Sequence, residues 1–429
     1  MPWGSCFNEY SFIVTILVSH SRGNYSSIVK LRFASRLSWP VPNNSLAALR
    51  LWRQSRGLPV LDFSESNPTR VGFPPSRLDR LSDSANASYE PDPKGSRRAR
   101  EALVGDYAAR FGPPPPGIED LFLCASTSEA YGWLFKLLCD PGEAVLVPKP
   151  GYPLFDYLAG LEAVEARPYR LDYAHPRGWS IDIDSVRKAV EGGRAKAIVI
   201  INPNNPTGSY VRRQEREALI DICRNRGCAI IADEVFYGFP VEIAAGGEAA
   251  DTASFMGEDR VLSFVLDGLS KRLGMPQAKL GWIAASGPEP ELAEARGRLE
   301  IIADSYLSAG TPIMNALPDL LAGAEGFARP CRERLAANLA DLRGILEGPN
   351  SPHRVLRCEG GWTAIVESPR FLPEEELALG LLREKGVWSH PGYFFDMEKE
   401  ACFTVGLILP PERLEQGARA YADYFALFA

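Results

Sequence analysis

Between about residue 120 and residue 285 short apolar runs alternate with helical patterns, and this constrains the fold more than any other feature. The runs are Leu121-Phe122-Leu123, Ala144-Val145-Leu146-Val147, Ala197-Ile198-Val199-Ile200-Ile201, Ala229-Ile230-Ile231-Ala232 and Val261-Leu262-Ser263-Phe264-Val265. Each is apolar throughout rather than alternating, so a strand made from it must be covered on both faces, and the intervening helices supply the cover. A mostly parallel sheet between helix layers follows. Ligands of such sheets sit beyond the carboxyl ends of the strands, so the chemistry belongs in the loops that directly follow these runs.

The flanking sequence is read in the same way. Leu46, Leu49 and Trp52 predict a helix over 43–57, followed by Val60-Leu61-Asp62-Phe63 and the turn-rich Ser66-Asn67-Pro68-Thr69. After Gly95, an amphipathic helix carries Ala99, Ala102, Leu103, Tyr107 and Phe111 on one stripe, and Pro113 to Pro116 stop it. Beyond Ala285, a helical stretch leads into a smaller α+β region from about residue 315. The expected division is an unassigned extension over 1–37, a segment over 38–84 packing with the small domain, a large domain over 85–312 and a small domain over 313–429.

The run Tyr10 to Val18 is too short to span a bilayer. With Glu9 and no Lys or Arg before it, it makes a poor signal peptide, so a cytoplasmic protein without membrane partners is expected. The net charge of −7 argues against a nucleic-acid surface, and Arg97-Arg98-Ala99-Arg100 reads as a solvated helix face. Eight cysteines form no CxxC pair, and four histidines show no ligand spacing, so neither a disulfide framework nor a metal is expected.

Three strand-end loops carry the chemistry. Asp267-Gly268-Leu269-Ser270-Lys271 follows the last run, with Lys279-Leu280-Gly281-Trp282 beyond it. A lysine in a crowded pocket can have its pKa lowered enough to form an imine with an aldehyde; a Ser-Lys pair by itself is an ordinary surface feature. Asn202-Pro203-Asn204-Asn205-Pro206-Thr207-Gly208, after the run at 197–201, is by itself a turn. Asp233-Glu234-Val235-Phe236, after the run at 229–232, is by itself a helix cap or an ion pair.

In this order and spacing, the three loops resemble those of the class I/II aminotransferases of pyridoxal phosphate (PLP) fold type I, and the resemblance runs from about Ser38 to Leu414. It implies an α/β large domain with a mostly parallel seven-stranded sheet between helices, a smaller α+β domain, and PLP as cofactor. Lys271 takes the place of the Schiff-base lysine, Asp233 that of the partner of the pyridine nitrogen, and Asn205 that of the donor to the phenolic oxygen. Tyr152, in Pro150-Gly151-Tyr152-Pro153, resembles the aromatic that stacks on the ring, its other reading being a core aromatic in a turn. Ser126, Thr127 and Ser128 open a helix, where N–H groups and hydroxyls suit a phosphate or simply cap the helix; Ser270 and Lys279 resemble the remaining phosphate ligands. Tyr89, in Tyr89-Glu90-Pro91-Asp92-Pro93-Lys94-Gly95, resembles the tyrosine that reaches a neighbouring subunit, which implies a homodimer; a loop aromatic is the alternative. Glu359-Gly360-Gly361-Trp362 and Val387-Trp388-Ser389-His390-Pro391-Gly392 resemble loops that close over substrate.

Four positions depart from the pattern. Lys279 stands where arginine is usual and loses the two-pronged fork. Gly268 stands for a frequent serine. Phe236 stands for a tyrosine and removes one donor to the phenolic oxygen, while Tyr237 next to it should point away. Thr404 falls where an arginine normally grips the substrate carboxylate. Arg70, after the loop that begins at Ser66, is a candidate replacement, or a solvated surface arginine. The leading expectation is an aminotransferase acting on a small-molecule amino donor and a carbonyl acceptor. A PLP-dependent elimination or carbon–carbon bond-forming enzyme on the same fold is the first alternative, and a non-enzymatic regulator the second.

Overall fold

The computed structural model describes residues 34–37, 44–73, 78–112, 114–242 and 251–428. The extension expected over 1–37 lies outside the described residues except for a short turn at Ser35–Leu37. Helix α1 (Ser45–Ser55) begins where the Asn44 side chain accepts from the Ala47 amide at 3.0 Å, and the short β1 (Leu61–Asp62) follows. Helix α2 (Arg97–Phe111) is capped by Ser96 and ends at Gly112, whose φ of +78° only glycine adopts easily. Its basic cluster is not a uniformly solvated face. Arg100 lies three residues from both Arg97 and Leu103, on the inward stripe, and donates to the Gly95 and Ile118 carbonyls and to Asp92.

The alternating region then runs β2 (Leu121–Cys124), α3 (Thr127–Leu138), β3 (Ala144–Lys149), α4 (Phe155–Leu161), β4 (Glu165–Ala174), β5 (Gly178–Ile181), α5 (Ile183–Ala189), β6 (Ala195–Ile201), α6 (Arg213–Arg226), β7 (Ala229–Asp233), β8 (Ser263–Gly268), α7 (Leu269–Arg272) and β9 (Gly281–Ser286). The sheet has the order β2-β9-β8-β7-β6-β3-β4-β5. Strands β4, β3, β6, β7 and β8 are mutually parallel, and β9 runs against both β8 and β2. Seven strands match the expected sheet; the eighth, β5, is added at the edge by an antiparallel hairpin with β4.

Successive residues of each inner strand go to opposite faces. Ile198, Ile200, Ile230 and Val265 pack with Leu103, Tyr107 and Trp282, whereas Val199, Ile231, Phe264 and Ile283 pack with Trp133, Leu134 and Leu299. This two-sided burial is why the runs carry no polar alternation.

The remaining helices are α8 (Glu289–Tyr306), α9 (Thr311–Ala322) and α10 (Glu325–Leu346). After them, β10 (Arg354–Val355), β11 (Thr363–Glu367), α11 (Glu374–Gly380), β12 (Val387–Trp388), β13 (His390–Pro391), β14 (Cys402–Gly406) and α12 (Pro411–Phe425) build a second core around a four-stranded antiparallel sheet, β10-β11-β14-β13. The N-terminal segment joins this core. β1 pairs in parallel with β12, and Phe63 is buried among Tyr421, Phe403 and Leu414. Gly406 allows it: a Cβ there would lie 2.2 Å from the Glu65 carbonyl oxygen, and its amide donates to Phe63 at 2.8 Å. The 62–66 loop is thereby held against β14. No helix among the described residues is long and apolar enough to cross a membrane.

A buried charge chain underlies the β8–α7 turn. Asp267 pairs with Arg110 at 3.0 Å, Arg110 with Asp106 at 3.4 Å, and Asp106 with Arg272 at 2.7 Å. Removing the central cation strands Asp267 in the interior. Arg110→Met is therefore expected to cost about 3–5 kcal/mol, read as a lower urea midpoint; an unchanged midpoint would show that the chain does not support this turn.

Candidate active site

Strands β2, β3, β6, β7 and β8 all end at one edge of the sheet, so the loops after them meet there. Thr127, Tyr152, Asn205, Asp233, Phe236 and Lys271 line one cavity of about 270 Å³. The second core closes it with Trp362, Thr363, His390, Phe395 and Thr404, and the loop held by Gly406 contributes Ser64 and Ser66.

Lys271 sits on α7, the single helical turn that continues β8. Its Nζ lies 5.1 Å from the Phe236 ring centroid and 4.9 Å from that of Trp362. Burial lowers the amine to about 8, with the Asp233 charge opposing the shift. Asp233, the last residue of β7, is raised to about 6, again by burial foremost. Two donors limit that rise: the Val235 amide at 3.2 Å from Oδ1 and the Tyr131 hydroxyl at 3.0 Å from Oδ2. An amine and a carboxyl group shifted toward each other in one cleft mark a reactive site.

Sequence reasoning missed Tyr131. Its signal was present, since Tyr131 lies four residues past Thr127 on α3 and so on the same helix face. At the start of α3 the Ser126 hydroxyl accepts from the Glu129 amide at 3.2 Å, while the Glu129 carboxylate accepts from the Ala125 amide at 2.6 Å. Ser128 and Ser270 are half-buried near this cleft, and only Thr127 of the three α3 hydroxyls lines the cavity itself. Gly281 lets β9 approach the helix start: a Cβ there would lie 3.1 Å from the Ser126 carbonyl carbon and 3.2 Å from the Thr127 amide nitrogen.

Other expected residues lie elsewhere. Lys279 is exposed in a left-handed conformation and does not line the cavity. Tyr89 is 61% exposed. Arg70 is not brought to the cavity, which corrects its reading as the carboxylate grip. It ends an exposed turn, Pro68–Arg70, that Asn67 fixes by accepting from the Thr69 amide at 3.0 Å, and its charge acts on Glu65. Phe236 faces the cavity, whereas Tyr237 turns to Phe111 and Tyr210, with ring centroids 5.6 and 5.5 Å away.

Thr404 sits in the middle of β14 and is 1% exposed. Its Oγ1 is a long 3.4 Å from the His390 carbonyl oxygen, and Ser389 donates to its own carbonyl at 2.8 Å. His390 is held neutral, its pKa lowered to about 4 by burial and then by the charge of Arg50. Arg50 stands behind the wall, 4.7 Å over the Trp388 ring and paired with Asp62 at 3.2 Å. Among the described residues lining the cavity, Lys271 is the only lysine or arginine.

Comparison with known proteins gives a consistent result. The family described as aminotransferase class I and II matches residues 91–420. A glutamate-pyruvate aminotransferase AlaA of Haemophilus influenzae is 30% identical over 399 residues, 88% of this chain and 94% of that protein. A nicotianamine aminotransferase 1 of Oryza sativa is 30% identical over 371 residues, covering 81% of this chain and 72% of its own length. The solved alanine aminotransferase from Pyrococcus furiosus superposes with a TM-score of 0.82 at 23% identity, covering 92% of this chain and all of that one.

The lowered amine pKa sets a pH dependence. Lys271 bonds an aldehyde only when neutral, so imine formation by the cofactor-free protein is expected to rise with pH about a midpoint near 8. A stopped-flow pH series reads it; a midpoint at the ordinary lysine value would contradict the buried environment.

Proposed function

The chain belongs to the class I and II aminotransferases, which depend on PLP, and we propose that it moves amino groups through an imine at Lys271 Nζ. The observation that carries this assignment is the enclosure of Lys271 and Asp233 in one cavity, each shifted by burial. The residues suit the cofactor by charge and shape. Asp233 keeps acceptor capacity beyond its two donors, the cavity walls are aromatic, and Thr127 brings the N-terminus of α3, a favourable place for an anion, to the cavity.

When bound, PLP supplies an electron sink for the carbon attached to the substrate nitrogen. Asp233 would hold a proton on the ring nitrogen, its carboxylate kept in place by Tyr131 and the Val235 amide. Asn205 would donate to the phenolic oxygen, and Tyr152 would supply an aromatic surface for the ring. Thr127, at the start of α3 and on the cavity wall, would hold the phosphate with Ser126, Ser128 and Ser270 beside it, whereas the exposed Lys279 would have to turn inward to join them. Lys271 Nζ would hold the cofactor and, once displaced by the incoming amine, would be the group placed to move a proton to or from the substrate carbon. Phe236 offers no hydrogen bond and supplies only an apolar wall.

We place the enzyme in the cytoplasm as a homodimer in which the exposed Tyr89 reaches the neighbouring site, with the large and small domains meeting near residue 312. Free thiols at all seven described cysteines support a reducing compartment.

Borohydride reduction followed by peptide mapping is expected to label Lys271, and Lys271→Ala to slow the half-reaction by about 10²–10⁴-fold. Label on another lysine would overturn the assignment, and release of ammonia and a keto acid without conversion of the cofactor to its amine form would identify elimination instead. Phe236→Tyr adds a donor to the phenolic oxygen. It is expected to lower the midpoint at which the cofactor's visible absorbance titrates by about one to two units; an unmoved midpoint would mean that position 236 does not reach that oxygen.

A further inference from the structure

We propose that the preferred amino donor is a primary amine without an α-carboxylate, carrying an alkyl or arylalkyl group, and that Thr404 sets this preference. The inference rests on the transamination reading and goes beyond it to the substrate class.

An α-amino acid brings its carboxylate one bond from the reacting carbon, so the group must be buried beside Lys271. Among the described residues, no second cation meets it there. Lys271 is committed to the reacting carbon. Arg50 is screened by the Trp388 ring and offset by Asp62. His390 is neutral near pH 7, and Asp233 is itself an acid on the cavity floor. A carboxylate buried without a paired charge is costly. A neutral donor meets what the wall does offer: the rings of Trp362, Phe236 and Phe395, and the hydroxyl of Thr404, whose own bond is long.

The chemistry balances as for an amino acid. The donor's C–N bond is replaced by a C=O bond whose oxygen comes from water. The nitrogen and two electrons would pass to the aldehyde carbon of the cofactor, whose oxygen leaves as water, and Lys271 would carry the proton from the donor carbon.

The test uses donors that differ by the carboxylate alone: 2-phenylethylamine against phenylalanine, and ethylamine against alanine. They are mixed with the PLP-loaded enzyme in single-turnover absorbance experiments. Each amine is expected to convert the cofactor at least about tenfold faster than its amino acid. Thr404→Arg is expected to raise phenylalanine conversion by about 30- to 1000-fold, the range of one charge-assisted pair. Calorimetry gives a readout independent of turnover: 3-phenylpropionate should bind saturably to Thr404→Arg and not to the unaltered enzyme. Faster conversion of the amino acids by the unaltered enzyme, or saturable 3-phenylpropionate binding to it, would overturn the inference. Should the variant not fold, these unaltered-enzyme measurements decide alone. If no donor of either class converts the cofactor, transamination itself fails, and the calorimetric result still settles whether the site accepts a carboxylate.

Discussion

The site depends on keeping an amine and a carboxyl group away from water at the same edge of a parallel sheet. Taking an ion out of water costs several kcal/mol unless partners replace the lost hydration. Asp233 has such partners in the Tyr131 hydroxyl and the Val235 amide. Among the described residues Lys271 makes no hydrogen bond or ion pair and faces aromatic rings, so the desolvation falls mainly on the amine. The surrounding architecture supports that asymmetry. Asp267, Arg110, Asp106 and Arg272 brace the turn bearing Lys271, and Trp282 donates to the Tyr107 hydroxyl at 2.8 Å beneath it.

The two cores cooperate through backbone approach at two glycines. Gly281 brings β9 against the start of α3, and Gly406 brings the 62–66 loop against β14. Both are contacts at which any side chain would displace backbone atoms, and both fix residues that line the cavity. Trp362 has the corresponding role for the second core. It packs edge-on against Phe236, Phe239 and Phe327 while presenting its ring to Lys271. The aromatic wall is thus a continuation of the second core's interior, and rigid for that reason.

Much of this was legible in the sequence, and what was not has a physical explanation. The inner strands were readable because burial on both faces removes polar residues from a whole run. Strand β9 was not, because Gly281-Trp282-Ile283-Ala284-Ala285-Ser286 is small and mixed and runs against its neighbours. β4 was missed because it alternates exposed and buried residues and contains Pro168. Lys271 on the turn of α7, Asp233 and Thr404 on strands and Asn205 in a loop follow readable elements closely, and the fold brings them together. Ser64 and Phe395 carry no local signal, since only the packing of the N-terminal segment on β14 and of the second core on the sheet brings them to the cavity. Arg70 looked plausible because it follows the right loop; the Asn67 turn, which spacing does not reveal, leaves it exposed.

The lysine's displacement from its usual value bears on why the site is built this way. Moving an amine from 10.5 to about 8 corresponds to about 3 kcal/mol held against folding at neutral pH. In the folded chain below pH 8, the lysine is charged in an environment that disfavours charge; in the unfolded chain it is charged in water. Binding of an aldehyde relieves that cost, because an imine can exist without a full ammonium charge. The same desolvation that makes Lys271 expensive to fold therefore favours its loaded state, and the Asp233 charge keeps the amine from falling so far that proton return would be slow. Brønsted behaviour favours a proton carrier whose pKa lies near the working pH. Burial supplies the larger shift and the carboxylate trims it, so the two groups tune one another through the cavity they share.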